Sequence, residues 1–129
     1  MPEFGERSLK NLNECHEDIQ NVLNEVIKNY DCSVIEGFRG REEQDKAYDE
    51  GKSKLKYPQS KHNQQPSLAV DVVPYPIDWD NTKQFYHFAG YVQGVADQLG
   101  IELRWGGDWD MDKEFTDQNF HDLPHFELI

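Results

Sequence analysis

Residues 68–73 read LAVDVV, an apolar, β-branched run stopped by Pro74 and Pro76. Such a run is a strand, and the prolines end its ladder. Asp71 stands in its middle. Burying a carboxylate without a partner costs several kcal/mol, so the fold must place a cation, a hydrogen-bonded partner or a metal beside it. Any arrangement of this chain has to solve that problem.

The other periodic segments say what surrounds the strand. Leu9, Leu12, Cys15, Ile19, Val22, Leu23, Val26, Ile27 and Tyr30 recur at helical spacing and predict one helix over 9–30, capped by Ser8. CSVIEGF (32–38) alternates and predicts a strand, and Arg39-Gly40 a turn. REEQDKAYDEG (41–51) is a short polar helix, and residues 52–67 form a long aperiodic loop. Phe85, Phe88, Ala89, Val92, Val95, Ala96 and Leu99 predict a helix over 81–99 that Gly100 stops. IELRW (101–105) and HFELI (125–129) are further strands, with an acidic, irregular stretch from Gly106 to Asp122 between them. This order predicts an α+β domain with a mostly antiparallel sheet and flanking helices. A parallel βαβ unit joining 68–73 to 101–105 is the alternative.

At 129 residues the chain has room for one domain, 1–129, acting as a monomer. Its formal charge of −12 argues against wrapping nucleic acid or an anionic membrane. The acid is concentrated in 101–129, beside a basic island of Lys52, Lys54, Lys56 and Lys61. Cys15 and Cys32 predict two buried free thiols rather than a disulfide framework. The N-terminus lacks the apolar core of a secretory signal, and no run approaches the roughly 18 apolar residues of a membrane span.

The chemistry gathers in three stretches, SKH (60–62), AVD (69–71) and DLPH (122–125). A catalytic zinc site takes three nitrogen or oxygen ligands and keeps one position open for water. His62 precedes the 68–73 strand, Asp71 lies in it and His125 opens the last strand, so neighbouring strands would bring the three together. Asp122 would then serve as general base. His16 and His87 fall on helices, where solvated or packing roles are commoner. His121 is either substrate-facing or a solvated loop residue. Glu127 follows His125 by two, so on a strand it points the same way and either supports a ligand histidine or makes a surface ion pair.

SKHNQQPSLAVDVVPYP, WGGDWD and FHDLPHFEL together resemble the zinc peptidases of the D-alanyl-D-alanine carboxypeptidase and L-alanyl-D-glutamate endopeptidase family, small phage endolysins above all. The resemblance implies a small domain like those of hedgehog proteins and D-Ala-D-Ala peptidases. It implies Zn²⁺ on His62, Asp71 and His125, and Asp122 as the base. It also implies Arg39, in GFRGREEQ (37–44), facing a tetrahedral oxyanion or a substrate carboxylate; a salt bridge to Glu42 or Glu43 is the plainer role. Ser60, Gln44 and His121 are the expected substrate-orienting residues. The connection Asn63-Gln64-Gln65-Pro66-Ser67 is longer than in many members and lacks their glycine.

The implied function is hydrolysis of the peptidoglycan stem peptide at the L-alanyl-D-glutamate bond, after synthesis in a host cytoplasm and holin-dependent release to the wall. A D-alanyl-D-alanine carboxypeptidase and a non-catalytic metal-binding module are the alternatives. The stretch from Asp108 to Asp117 invites a calcium ion, but Lys113 stands where an EF-hand needs glycine and Asn119 where it needs glutamate. A looser Ca²⁺ site or a solvated acidic loop remain the two readings there. Trp105 and Trp109 are expected to pack loop and sheet rather than contact glycan.

Overall fold

The computed structural model describes residues 2–111, 113 and 122–129. Four helices, α1 (Glu6–Asn13), α2 (Glu17–Val26), α3 (Arg41–Asp49) and α4 (Thr82–Gln98), accompany four strands, β1 (Cys32–Glu36), β2 (Ala69–Pro74), β3 (Leu103–Gly106) and β4 (Asp122–Leu128). The strands form one sheet in the order β1-β2-β4-β3, and every neighbouring pair is antiparallel. The predicted α+β architecture stands. The parallel alternative does not, because β4 lies between β2 and β3 and pairs with both.

One side of the sheet carries the core. Val70 and Val72 of β2, Phe126 of β4 and Trp105 of β3 turn toward α2 and α4, where Ile19, Leu23, Phe88 and Val92 meet them. In α4 the buried positions are Phe85, Phe88, Ala89, Val92 and Ala96, a single stripe at helical period. Each such large side chain contributes about 1.5–3 kcal/mol on burial. Because strand side chains alternate, Asp71, His125 and Glu127 are left on the opposite face. Cys15 and Cys32 are buried and free, and burial pushes both thiols up to about 12.

The single helix predicted over 9–30 is two helices. At Glu14–His16 the chain turns aside to pair with Ser67: the His16 amide donates to the Ser67 carbonyl (2.8 Å) and the Ser67 amide to the Glu14 carbonyl (2.9 Å). Those bonds replace helical ones. The His16 ring then accepts from the Asp18 amide (3.0 Å) and caps α2. The break thus anchors the loop that leads into β2.

The last strand starts earlier than expected, at Asp122 rather than His125. Gly106 faces Asp122 at a register irregularity in β3, and a Cβ there would lie 1.9 Å from the Asp122 carbonyl oxygen. Only glycine permits this approach. Gly106→Ala is expected to cost about 1–3 kcal/mol by forcing backbone apart. The denaturation midpoint measures this, and an unchanged midpoint would show that the strand gives way freely.

Candidate active site

Each side chain of the site arrives by a different local device. His62 sits in a single 3-10 turn, Lys61–Asn63, whose N-cap is Ser60. The Ser60 hydroxyl accepts from the His62 amide (3.2 Å), and the Asn63 side chain accepts from the Ser60 amide (3.0 Å), closing a capping box. Leu68 N–H to the Lys61 carbonyl (3.1 Å) closes the long connection behind it, so no glycine is needed. Asp71 and His125 are direct cross-strand partners in β2 and β4. Strand register places those two, and the capped turn brings in the third.

The three meet closely. His62 Nε2 lies 3.2 Å from Asp71 Oδ1 and 3.2 Å from His125 Nδ1, and His125 Nδ1 lies 3.3 Å from Asp71 Oδ1. Among the described residues, this trio is the one group of three or more such side chains positioned to hold a metal ion. The remaining ring nitrogens are engaged elsewhere. His62 Nδ1 bonds the Gly37 carbonyl (2.8 Å) and His125 Nε2 bonds Glu127 Oε1 (2.8 Å), which leaves Nε2 of one ring and Nδ1 of the other facing Asp71.

Donor set and spacing both fit a metal. Ligand bonds of about 2.0–2.1 Å in a tetrahedron put donor atoms roughly 3.3 Å apart, which is the spacing found here. The electrostatics agree. Burial works against a charged His125, yet its hydrogen bonds to Asp71 and Glu127 raise the ring to about 9. Burial by itself would raise the Asp71 carboxyl, but the two imidazoles hold it well below the usual carboxylate range. The centre favours positive charge.

Asp122 stands beside the trio, its Oδ2 3.9 Å from His125 Nδ1. Burial, reinforced by the Asp71 charge, raises its carboxyl to about 6 against the opposing pull of His125, His62 and Arg39. A carboxyl poised there is suited to taking and returning a proton near neutrality. Arg39 aims Nη2 at Asp71 Oδ2 (3.7 Å); its Nε is paired with Glu36 and its Nη1 donates to Gln44 Oε1 (3.0 Å). The carboxylates that hold Arg39 are therefore Glu36 and Asp71, not Glu42 or Glu43.

Gln44, expected as a substrate-orienting residue, is completely buried and the only buried residue of α3. It is a tie: Oε1 accepts from Arg39 and from Asn63 (3.3 Å), while Nε2 donates to the Leu55 carbonyl (2.6 Å) and the Ser53 hydroxyl (3.0 Å). Ser60 is also buried; its hydroxyl accepts from the His62 amide, and the residue lines the cleft above the trio. His121 lies outside the described residues, as do Asp117 and Asn119. A calcium site on the 108–117 stretch gains no support: its described carboxylates are Asp108 and Asp110, and Asp108 Oδ2 accepts from the Lys113 amide (2.8 Å).

Sequence reasoning read Trp109 as loop packing and missed its place at the site. Trp109 stands over the His125 ring, centroids 5.3 Å apart, and lines the cleft above the trio, whereas Trp105 is core and donates its indole N–H to the Leu123 carbonyl (2.8 Å). The stretch 52–55 also lines that cleft, of about 380 Å³. Its lysine content was the one available signal. Glu127 does support a histidine, and it is held in turn by Lys61 (3.3 Å) and Arg104 (3.6 Å). Glu127→Gln is expected to weaken metal binding about 10–100-fold, measured by competition with a chelator of known affinity. Unchanged affinity would reduce Glu127 to a surface ion pair.

Comparison with known proteins follows the same line. The sequence profile of the family described as phage L-alanyl-D-glutamate peptidase matches residues 2–129. The L-alanyl-D-glutamate peptidase of Escherichia phage T5 is 29% identical over 134 residues, covering 98% of this chain and 97% of that protein. The peptidoglycan L-alanyl-D-glutamate endopeptidase CwlK of Bacillus subtilis (strain 168) is 30% identical over 117 residues, 79% of this chain and 63% of CwlK. The crystal structure of the Serratia marcescens L-Ala D-Glu endopeptidase ChiX superposes with a TM-score of 0.75 at 28% identity, covering 98% of this chain and 90% of ChiX.

Proposed function

Because the chain belongs to the phage L-alanyl-D-glutamate peptidase family, we propose that it hydrolyses the L-alanyl-D-glutamate bond of the peptidoglycan stem peptide as a zinc enzyme. The observation that carries this reading is the His62–Asp71–His125 trio with Asp122 beside it. Zinc, when bound, supplies a Lewis acid and lowers the pKa of its water.

The chain's own groups do the rest. Asp122 accepts the proton of the attacking water as its oxygen adds to the alanyl carbonyl carbon, and returns a proton to the glutamate nitrogen as the C–N bond breaks. Arg39, fixed by Glu36 and Gln44, presents its guanidinium to the developing oxyanion. Trp109 and the 52–55 wall flank the reacting bond and limit its hydration.

Two openings meet at Arg39 and Asp122, the cleft above the trio and a second groove of about 770 Å³. Chain can therefore continue on both sides of the scissile bond. That favours an internal cut over the terminal cut of a D-alanyl-D-alanine carboxypeptidase. A spare, proton-accepting Asp122 favours catalysis over a structural metal module. Among the described residues no helix is long and apolar enough to cross a membrane. Action on the wall after release by a holin is the setting we propose, as for an endolysin. Purified protein is expected to release soluble peptides from sacculi, to lose this with a chelator and to regain it with Zn²⁺. Release that persists in full under chelation would overturn the metal mechanism.

A further inference from the structure

Among the described residues, the two openings at the active centre carry opposite charge. The described lining of the cleft above the trio has four cations, Arg39, Lys52, Lys54 and Lys61, and two carboxylates, Asp122 and Glu127. The groove on the other side has three cations but five carboxylates, among them Glu36, Glu43 and Glu50, and its apolar wall includes Trp79 stacked on Phe85 at 5.6 Å. Arg39, Lys52 and Asp122 line both, so they mark the junction where the reacting bond lies.

The substrate assigned above is just as asymmetric. In a stem peptide D-glutamate continues through its γ-carboxyl, so its α-carboxylate stays free on the carbon that bears the scissile nitrogen. The half that leaves with that nitrogen is anionic next to the cut. The acyl half, L-alanine amide-linked to a lactyl group, is uncharged. Opposite charges raise the local concentration of a ligand and fix its register, so the leaving half belongs in the cationic cleft.

The cations differ in how committed they are. Arg39 is held by Glu36 and Gln44, and Lys61 by Glu127 and the Leu128 carbonyl. Lys52 makes an exposed bridge to Glu50 (3.3 Å) with its side chain 75% exposed, a pairing weak enough to exchange for a substrate carboxylate. Lys54 faces the cleft alone of the two openings. Their backbone is not free to drift: Gln44 holds the Leu55 carbonyl and Ser53 hydroxyl, and the Lys52 amide donates to the Ala47 carbonyl (2.8 Å).

We propose that the Lys52–Leu55 segment is the specificity element of the cleft, with Lys52 at the junction reading the α-carboxylate of D-glutamate and Lys54 reinforcing it. The enzyme then discriminates D-glutamate from its α-amide, D-isoglutamine. This rests on the hydrolase reading given above.

The test uses two N-acylated peptides, L-Ala–γ-D-Glu–L-Lys and L-Ala–γ-D-isoGln–L-Lys, with the zinc-loaded full chain. The wild type is expected to prefer the carboxylate peptide about tenfold in kcat/KM, the worth of one partly desolvated charged contact. The gap should narrow at high ionic strength. It should close to about twofold in K52Q/K54Q, and Lys52→Glu should reverse it, with folding followed by circular dichroism. Equal rates in the wild type, or a gap that survives both variants, would overturn the charge reading while leaving the hydrolase reading in place. If neither peptide is cut, the hydrolase reading falls and this one with it.

Discussion

Replacing Asp122 by alanine is expected to lower kcat by about 10²–10⁴-fold, the usual worth of a positioned general base. The carboxyl is raised to about 6 by burial and by Asp71, so near neutrality it accepts a proton without being too weak a base. Among the described residues it is also the acidic group that faces both openings while remaining outside the trio that could hold a metal. Metal content should therefore stay near one per chain in Asp122→Ala. Asp122→Asn should be equally impaired, because the amide keeps the shape and loses the base. Steady-state kinetics with metal analysis separates the two effects. Activity within about threefold of wild type would remove Asp122 from the mechanism.

His125→Ala strikes the centre itself. Its Nδ1 is one of the three converging donors, and its Nε2 is the partner of Glu127. Loss of a supporting residue costs about 10–100-fold in metal affinity, and loss of a donor should exceed that. Hydrolysis should fall to background at any zinc concentration that does not itself inhibit. The fold should survive, since Asp71 keeps His62 at 3.2 Å and Arg39 at 3.7 Å as partners and is not left buried alone. A folded His125→Ala protein that binds zinc as tightly as wild type would show that another residue completes the site.

The elements that positioned the trio were legible for particular reasons. LAVDVV announces both a strand and a problem, a carboxylate that needs company, and the observed answer is two imidazoles and an arginine. The spacing of Phe85, Phe88, Ala89 and Val92 reads directly as the buried face of α4 because one apolar stripe decides it. The alternation that puts Glu127 beside His125 follows from strand geometry alone.

What was not legible depended on partners distant in sequence. The break between α1 and α2 has no proline or glycine to mark it; it exists because Glu14 and His16 spend their backbone bonds on Ser67. The early start of β4 depends on Gly106 admitting the Asp122 backbone, a contact between segments far apart along the chain. Helix α3 looks polar throughout, so nothing in its pattern says that Gln44 is completely buried and ties Arg39 to the 53–55 wall. Trp109 reads as loop packing until the cleft is seen, when it stands over His125.

The central claim is that the His62–Asp71–His125 centre, with Asp122, cuts between L-alanine and D-glutamate. Mass spectrometry of muropeptides digested with the zinc-loaded protein tests it most directly. The expected products are disaccharide-bearing fragments ending in L-alanine together with free peptides beginning with D-glutamate, both absent after chelation and in Asp122→Ala. Fragments that keep the L-alanyl-D-glutamate bond intact and lose only a terminal D-alanine would contradict it.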